Sequence, residues 1–320
     1  MMGGGDPHFS WKGRPVGVVG LGLMGGSWAG AARPLVGTLH GCDRAPEARA
    51  GALARGLVDA AWEAPGPWLG HCDLVVLAVP PGVAGEMARS CLDYMKAGSI
   101  LTDVCSVKEA VVAEVAPLLE GRGVSYVPGH PLAGKERSGL DAACPDLFRG
   151  APYVLCDPLP SGRAEPAWQA LAVLVRAMGA RPVRVGPDDH DRLVAASSHL
   201  PYLVAVAMTR VVGAVQAGGV PATALVSSGF RDTTRVALSP PDLWADILVR
   251  NPALGEVARM VLAELQMILG VVREEPGGLA RLLEEGRAVR DQIDRQRPEY
   301  ERHGLPRTRD CRPKGGEGST

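Results

Sequence analysis

The sequence predicts an α/β fold, in which a doubly wound sheet is followed by an all-helical domain. From Arg14 to Gly186, short runs of Val, Leu and Ile alternate with helical stretches. Continuous apolar runs are typical of strands that are covered on both faces, and repeated strand–helix–strand units are typical of a doubly wound sheet. From Asp188 to about Asp294 no clear strand pattern remains, and helical periodicity takes over.

The elements of the first domain follow from these alternating patterns. The predicted strands are Val16–Gly20, Thr38–Cys42, Leu74–Val79, Ser99–Asp103, Val124–Pro128, Pro152–Cys156 and Arg181–Val185. The predicted helices are Gly22–Ala32, Pro46–Arg55, Gly82–Tyr94, Val107–Leu119 and Glu165–Met178.

The second domain is predicted to consist of helices alone. Asp189 is expected to cap its first helix, and Ser239-Pro240-Pro241-Asp242 places a Pro at the first position of a later one. Pro201 cannot donate a hydrogen bond to the carbonyl of Ser197, so we expect a kink there.

The expected domain organisation has four parts. They are a loose Gly-rich N-terminus at 1–13, a nucleotide-binding domain at 14–187, a helical domain at 188–294, and a flexible tail rich in Arg, Pro and Gly at 295–320.

Composition argues against several classes of function. A formal net charge of −1 is unlike that of a dedicated nucleic-acid or membrane-surface protein. The seven cysteines are scattered, and we expect free thiols with neither a disulfide framework nor a metal site. No apolar run reaches the ~18 residues that a membrane span needs, and the N-terminus is unlike a signal peptide. The expected location is cytoplasmic.

A dinucleotide-binding fingerprint joins the first strand to the first helix, in Gly20-Leu-Gly22-Leu-Met-Gly25. Gly20 permits the tight turn, Gly22 lets the backbone approach a pyrophosphate, and Gly25 allows the helix to pack closely. Asp43, about 20 residues further on, is expected to accept hydrogen bonds from the adenosine ribose. This favours NAD, although Arg44 leaves NADP open. The other residues expected at the cofactor are Leu23, Met24, Val79, Pro80 and Asp103.

Two polar segments of the first domain are candidates for the chemistry. His130-Pro-Leu-Ala-Gly-Lys-Glu-Arg-Ser-Gly139 combines an imidazole with charged and turn-forming residues, which suits proton transfer better than a core. Ser106 follows a predicted strand and is either a helix cap or a catalytic group.

Two further segments lie in the helical domain. His199 and Tyr202 are three residues apart beside the expected kink, where they share a helix face. Arg231 and Arg235 flank Asp232 on a potential helix, either as a forked donor for a carboxylate or as a solvated charge cluster. Trp244 follows this segment.

Together these motifs resemble those of the prephenate/arogenate dehydrogenases of tyrosine biosynthesis, from about Val16 to Asn251. The markers are the segment that begins at His130, the tripeptide His199-Leu-Pro, and Gly229-Phe-Arg-Asp-Thr-Thr-Arg-Val. The resemblance implies a Rossmann-type NAD-binding domain, a helical dimerisation domain that forms a homodimer, and a small-molecule substrate between them.

The resemblance also implies roles for individual residues. His130 would take the proton of the ring C4 hydroxyl as hydride leaves C4 for NAD⁺, with loss of ring CO₂ to give 4-hydroxyphenylpyruvate or tyrosine. Ser106 would bridge that hydroxyl and the nicotinamide, and Arg235 would bind a substrate carboxylate. The other residues implied near the substrate are Glu136, Asp232, His199, Tyr202 and Trp244.

One departure from the family pattern leaves the substrate open. Many prephenate-specific members carry a second His where this chain has Tyr202. Arogenate and the 4-amino-4-deoxyprephenate of secondary metabolism are therefore alternatives to prephenate. A β-hydroxyacid dehydrogenase would instead need a catalytic Lys on a helix. A non-catalytic NAD-binding regulator is the remaining alternative, against which His130, Ser106 and Arg235 argue.

Overall fold

A computed structural model describes residues 9–135, 137–160, 164–219, 221, 226–274 and 276–296. The chain up to Ala258 forms one compact unit, and the chain from Arg259 forms a second. The order of elements confirms the predicted fold class, because strands alternate with helices first and helices alone follow. The expected domain boundary at 187 lies inside the first unit and stays a prediction.

The main sheet has six parallel strands in the order β3-β2-β1-β4-β5-β6. Their bounds are β1 Val16–Val19, β2 Leu39–Cys42, β3 Ala60–Trp62, β4 Leu74–Leu77, β5 Ile100–Asp103 and β6 Ser125–Val127. The chain order reverses between β1 and β4. Ligands of open α/β sheets bind outside the carboxyl ends of the strands at such a switch point.

A second sheet of three strands extends the first domain. It contains β7 Gly129–Pro131, β8 Pro152–Leu155 and β9 Arg181–Arg184, with β7 antiparallel and β9 parallel to β8. The sequence patterns did not predict β3 or β7, because each has three residues and neither is a run of branched apolar side chains.

Helices cover the sheet on both faces. They are α1 Leu23–Ala32, α2 Pro46–Ala54, α3 Pro81–Leu92, α4 Glu109–Val115 and α5 Glu165–Ala177. The core is divided into two clusters of buried apolar side chains, one around Trp28 of α1 and one around Cys91 of α3. The alternating apolar strands Val16–Val19 and Leu74–Leu77 contribute to both clusters, as expected of strands covered on both sides.

The next helical stretch contains α6 Pro187–Val194, a π-helical turn Ala195–His199 and α7 Leu200–Ala217. The π turn lies where the kink before Pro201 was predicted, and such turns are frequent at functional sites. Asp189 is not the cap of α6, because Gly186 precedes the first helical residue, Pro187. The chain continues into α8 Ser228–Thr234 and α9 Pro241–Arg250, where Pro241 occupies the first helical position as predicted.

The continuous helix 187–217 is long and apolar enough to cross a membrane by length and composition alone, with 17% of the relevant window buried. The search for uninterrupted apolar runs did not identify this segment, because polar residues such as Thr209, Arg210 and Gln216 interrupt it. Length and composition do not distinguish a membrane span from a helix that is covered by another subunit, and this helix carries a charged first turn with Asp188 and Asp189.

The second compact unit contains most of α10 Leu254–Glu274 together with α11 Pro276–Arg295. Many large apolar side chains of this unit are exposed: Met260, Leu262, Leu265, Met267, Leu269, Val272, Leu283, Val289 and Ile293. Exposed apolar side chains in this number are typical of an interaction face where they form one patch.

The cysteines depart in one place from the expectation of free thiols. Cys42, Cys72, Cys91, Cys105 and Cys156 are free and buried, whereas Cys144 is disulfide-bonded. Within the described ranges, no group of three or more His, Cys, Asp or Glu side chains is arranged to hold a metal ion.

Candidate active site

The fingerprint loop has two glycines that the fold requires and one that leaves space. Gly20 has a φ of +95°, and a Cβ there would lie 2.2 Å from the Ala78 carbonyl oxygen. A Cβ on Gly25 would lie 1.7 Å from the Gly20 carbonyl oxygen. A Cβ on Gly22 would meet nothing within 4 Å. The space beside Gly22 is therefore where a pyrophosphate can approach the backbone.

The start of α1 is suited to an anion. Gly22 is its N-cap residue and supplies no side-chain hydrogen bond, so the first N–H groups of the helix and its dipole face the loop. Leu23 and Met24 form this first turn. The geometry fits the predicted dinucleotide site.

Asp43 is held at the end of β2, beside the same loop. Its Oδ2 accepts a hydrogen bond from the Leu21 N–H at 2.7 Å, and its Oδ1 accepts one from the Ala45 N–H at 2.9 Å. Each carboxylate oxygen has a second lone-pair direction for a ribose hydroxyl. Arg44 next to it is exposed.

Two further predicted cofactor residues follow β4. Val79 is half-buried against the core, and Pro80 is exposed and precedes α3. They lie at the carboxyl end of the strand next to β1, on the side of the sheet where the switch point places the ligand.

Asp103 does not lie at the cofactor surface as predicted, because it is fully buried. It forms an ion pair with the equally buried Lys108 and accepts a hydrogen bond from the Tyr126 hydroxyl at 2.6 Å. The Cys105 N–H donates to it at 2.8 Å. Burial is the largest single influence on the pKa of Lys108 and lowers it, but Asp103 together with the neighbouring Cys105 and Cys156 raises this pKa overall, so the Lys stays charged.

Lys108 also positions His130. Its Nζ donates to the Gly129 carbonyl at 2.6 Å, and β7 approaches β5 so closely that a Cβ on Gly129 would lie 2.6 Å from the Asp103 carbonyl oxygen. His130, the next residue on β7, is therefore tied to the segment that follows β5. This segment contains the half-exposed Ser106, so the structure brings the two predicted catalytic residues to one region. Ser106 does not cap α4, whose N-cap residue is Lys108.

His130 is linked to two side chains of α6. Its Nδ1 lies 2.8 Å from His190 Nε2, and His190 Nδ1 lies 2.8 Å from Asp191 Oδ1. Asp191 also accepts hydrogen bonds from the Lys108 and Glu109 N–H groups at 2.8 and 3.0 Å. It thereby caps the start of α4 with a carboxylate from another element.

The environment of His130 favours the neutral imidazole. Burial is the main cause of a pKa well below the ordinary value of 6.5, and the neighbouring His190, Lys108 and His199 add to the effect. A neutral imidazole at neutral pH is able to accept a proton, which is the state that a general base requires.

His199 and Tyr202 surround Trp244. His199 is buried, and its ring meets the Trp244 ring edge to face with centroids 6.0 Å apart. Tyr202 stacks on Trp244 with centroids 4.0 Å apart and an interplanar angle of 1°. Asn251 Nδ2 lies 3.0 Å from His199 Nδ1 and donates to the Asp191 carbonyl at 2.9 Å. Burial lowers the pKa of His199 to about 4, so this ring is neutral as well.

Of the remaining predicted substrate residues, two lie on or next to α8. Asp232 is exposed on α8, and Arg235 is exposed directly after it. Helix α8 packs against α7, the helix of Tyr202. Glu136 lies outside the described residues.

Sequence reasoning missed four residues of this region, namely Lys108, His190, Asp191 and Asn251. The signal for two of them was the run Asp188-Asp189-His190-Asp191, which was used only to predict a helix cap at Asp189. Its second half is buried, with His190 2% and Asp191 0% exposed, and buried ionisable groups at a cleft are candidates for function.

A dinucleotide loop at the switch point of a parallel sheet, together with a neutral, partly accessible imidazole, defines a nicotinamide-dependent dehydrogenase. Comparisons with known proteins narrow this class. Residues 31–183 match the nucleotide-binding domain of prephenate dehydrogenase, and residues 186–285 match the dimerization domain of prephenate dehydrogenase. The chain belongs to the prephenate dehydrogenase family.

Individual relatives agree with this assignment. Cyclohexadienyl dehydrogenase of Zymomonas mobilis is 32% identical over 270 residues, which cover 82% of this chain and 89% of that protein. Prephenate dehydrogenase of A. aeolicus, solved with hydroxyphenyl propionate and NAD⁺, superposes with a TM-score of 0.81 at 27% identity and covers 89% of this chain and 100% of its own. Arogenate dehydrogenase of Synechocystis superposes with a TM-score of 0.75 at 31% identity and covers 87% of this chain and 99% of its own.

Proposed function

We propose that this protein is an NAD-dependent dehydrogenase that oxidises and decarboxylates a cyclohexadienyl substrate, prephenate or arogenate. The observation that carries the proposal is the position of His130. It is a neutral imidazole tied to the Ser106 segment at the carboxyl edge of a sheet whose first loop fits a dinucleotide. The family supplies the reaction, and this geometry supplies a base for it.

The chemistry divides between the cofactor and the protein. The loop around Gly22 and Asp43 would hold NAD⁺, which would supply the hydride acceptor. His130 takes the proton of the C4 hydroxyl, and Ser106 orients that hydroxyl. Arg235 binds a substrate carboxylate, where a planar guanidinium is the best donor. Loss of ring CO₂ restores aromaticity, so the enzyme mainly orients and deprotonates its substrate.

Asp232 and Glu136 are the acids proposed at the entrance of the site. His199 supports the site from the π turn, where Asn251 holds its ring against Trp244.

Tyr202 is proposed to broaden the choice of substrate side chain. The residue is 7% exposed and its ring is stacked on Trp244, so it packs as an aromatic platform and does not present a charged or imidazole donor to a pyruvyl group. The Zymomonas relative is named for the wider substrate class, cyclohexadienyl compounds. We therefore expect both the pyruvyl and the aminopropionate side chain to be accepted.

A second candidate substrate is 4-amino-4-deoxyprephenate. The enzyme named for it in Streptomyces pristinaespiralis is 29% identical over 235 residues, which cover 69% of this chain and 71% of that protein. The Ser106 and His130 pair would then face an amine in place of the C4 hydroxyl.

Steady-state kinetics with prephenate, arogenate and the 4-amino analogue, each with NAD⁺ and NADP⁺, test these assignments. The proposal expects turnover of prephenate and arogenate with kcat/KM values within about tenfold, that is, within 1.4 kcal/mol, and a preference for NAD⁺. An overwhelming preference for prephenate would contradict the role of Tyr202. Turnover of the 4-amino analogue alone would identify 4-amino-4-deoxyprephenate as the substrate.

The protein is further proposed to act as a cytoplasmic homodimer. The dimerization-domain match spans the helices whose apolar side chains are exposed, among them Val211, Leu262 and Leu265. Burial of such side chains contributes about 25 cal/mol per Å² of apolar surface. Light scattering of the purified protein should give twice the monomer mass of 33.5 kDa.

A further inference from the structure

His190 is a buried imidazole that touches His130 on one side and a carboxylate on the other. Its Nε2 lies 2.8 Å from His130 Nδ1, and its Nδ1 lies 2.8 Å from Asp191 Oδ1. His190 and Asp191 are 2% and 0% exposed. Asp191 also caps the start of α4, whereas no part of the fold described above depends on the contact between His190 and His130.

The direction of these hydrogen bonds follows from Asp191, which accepts the last of them. A carboxylate only accepts hydrogen bonds, and Asp191 is held in place by the Lys108 and Glu109 N–H groups at 2.8 and 3.0 Å. His190 Nδ1 is therefore the donor to Asp191, and the lone pair of this tautomer is on Nε2. His130 in turn donates its Nδ1–H to that lone pair. The second nitrogen of His130, Nε2, is then left with a lone pair.

We propose that His190 and Asp191 are positioning residues that hold His130 in the tautomer whose Nε2 accepts the substrate proton. This proposal rests on the proposed role of His130 as the base. In the reaction, the O–H bond of the C4 hydroxyl breaks as an N–H bond forms at His130 Nε2, the C4–H electron pair leaves as hydride for NAD⁺, and the O–H electron pair forms a C4=O group. The Nδ1–H of the resulting imidazolium stays hydrogen-bonded to His190, and the Asp191 carboxylate behind His190 stabilises the positive charge. Cleavage of the bond to the ring carboxylate then releases CO₂ and returns an electron pair to the C4 oxygen, which takes the proton back from His130.

The other ionisable groups around His130 do not compete for its Nδ1. Lys108 faces it from the start of α4, but its ammonium group is bonded to Asp103 and to the Gly129 carbonyl. His199 faces it from the π turn, and its Nδ1 is engaged by Asn251. Glu109 lies beside Asp191, and burial followed by the charge of Asp191 raises its pKa.

Kinetics of three variants test the positioning role. His190→Leu removes both hydrogen bonds, and His190→Gln places an amide near the Nε2 position, where its oxygen accepts the His130 proton. We expect kcat of His190→Leu to fall about 10- to 100-fold, by analogy with the loss of the hydrogen-bond partner of a metal-binding histidine. KM and NAD⁺ affinity should stay within about twofold. His190→Gln should recover most of the loss, and the exposed His71→Leu serves as the matched control.

The double variant separates this inference from the function on which it rests. If His190 acts through His130, then His130→Asn combined with His190→Leu is no slower than His130→Asn alone, because residues that act as a unit are not additive. Normal kcat in His190→Leu, or multiplication of the two losses, would overturn the positioning role. Normal turnover in His130→Asn alone would instead overturn the proposed base.

A spectroscopic measurement keeps the test valid if His190→Leu does not fold. In the ¹⁵N spectrum of the histidine-labelled wild-type protein, the signals of His130, assigned by their loss in His130→Asn, should show a protonated Nδ1 and a bare Nε2. In folded His190→Gln the same pattern should persist. The opposite tautomer in the wild-type protein would overturn the proposal.

Discussion

Replacing Gly22 with Ala is expected to weaken NAD binding while the protein stays folded. Gly22 has φ −77° and ψ −154° as the N-cap residue of α1, a conformation that Ala adopts without left-handed strain. The added Cβ meets nothing within 4 Å. The methyl group therefore occupies only the space that we assign to the pyrophosphate.

The magnitude follows from the contacts that the methyl group prevents. A hydrogen bond between a backbone N–H and a charged group contributes about 1.5–3 kcal/mol, and each 1.4 kcal/mol is a factor of ten in affinity. The loss of one such bond raises the Kd for NAD⁺ about 10- to 150-fold. The cost to folding is that of an N-cap Ala, on the order of 1 kcal/mol.

Titration calorimetry measures the Kd for NAD⁺, and urea unfolding measures the change in folding stability. Gly25→Ala is the contrasting variant, because its Cβ would lie 1.7 Å from the Gly20 carbonyl oxygen, so that it should lose both stability and affinity. Unchanged NAD⁺ affinity in folded Gly22→Ala would refute the assignment of this space to the pyrophosphate.

Three further outcomes are expected. Lys108→Met leaves the buried Asp103 carboxylate without its cation and should lower the free energy of unfolding by about 3–5 kcal/mol in urea titrations. Adding Asp103→Asn to this variant should restore part of the lost stability. An unchanged urea midpoint in Lys108→Met would count against the buried pair. Because burial lowers the pKa of His199 from 6.5 to about 4, the unfolded chain binds a proton that the folded state resists, so stability should fall by about 3 kcal/mol as the pH drops from about 6.5 to about 4. His199→Gln should flatten that slope, and an equal slope in both proteins would argue against the effect. Arg235→Gln should raise KM for the substrate much more than it lowers kcat, since it removes mainly ground-state binding; an unchanged KM would exclude Arg235 from carboxylate binding.

The elements with long apolar runs were predictable, and the short ones were not. Strands such as Leu74–Leu77 and helices with a Pro or Gly at the start are marked by local pattern. Strand β7 consists of Gly129–Pro131 and exists because β8 pairs with it and because Lys108 holds Gly129. These contacts are made between residues far apart in the chain, so a local pattern does not reveal them.

The same limit applies to the candidate site. The fingerprint glycines, His130 and the irregular turn before Pro201 all follow from residue type and local spacing. His190 lies 60 positions from His130, and its sequence context is that of an ordinary acidic helix start. For Asp103 the local pattern was misleading. Its place at the end of a strand predicted a contact with the cofactor, whereas Lys108 and Tyr126 enclose it.

The central claim is that His130 accepts the substrate proton, and the turnover of His130→Asn with NAD⁺ and either prephenate or arogenate tests it most directly. We predict that kcat falls about 10²-fold or more, with KM and the Kd for NAD⁺ near their wild-type values. Near-normal turnover in the folded variant would contradict it.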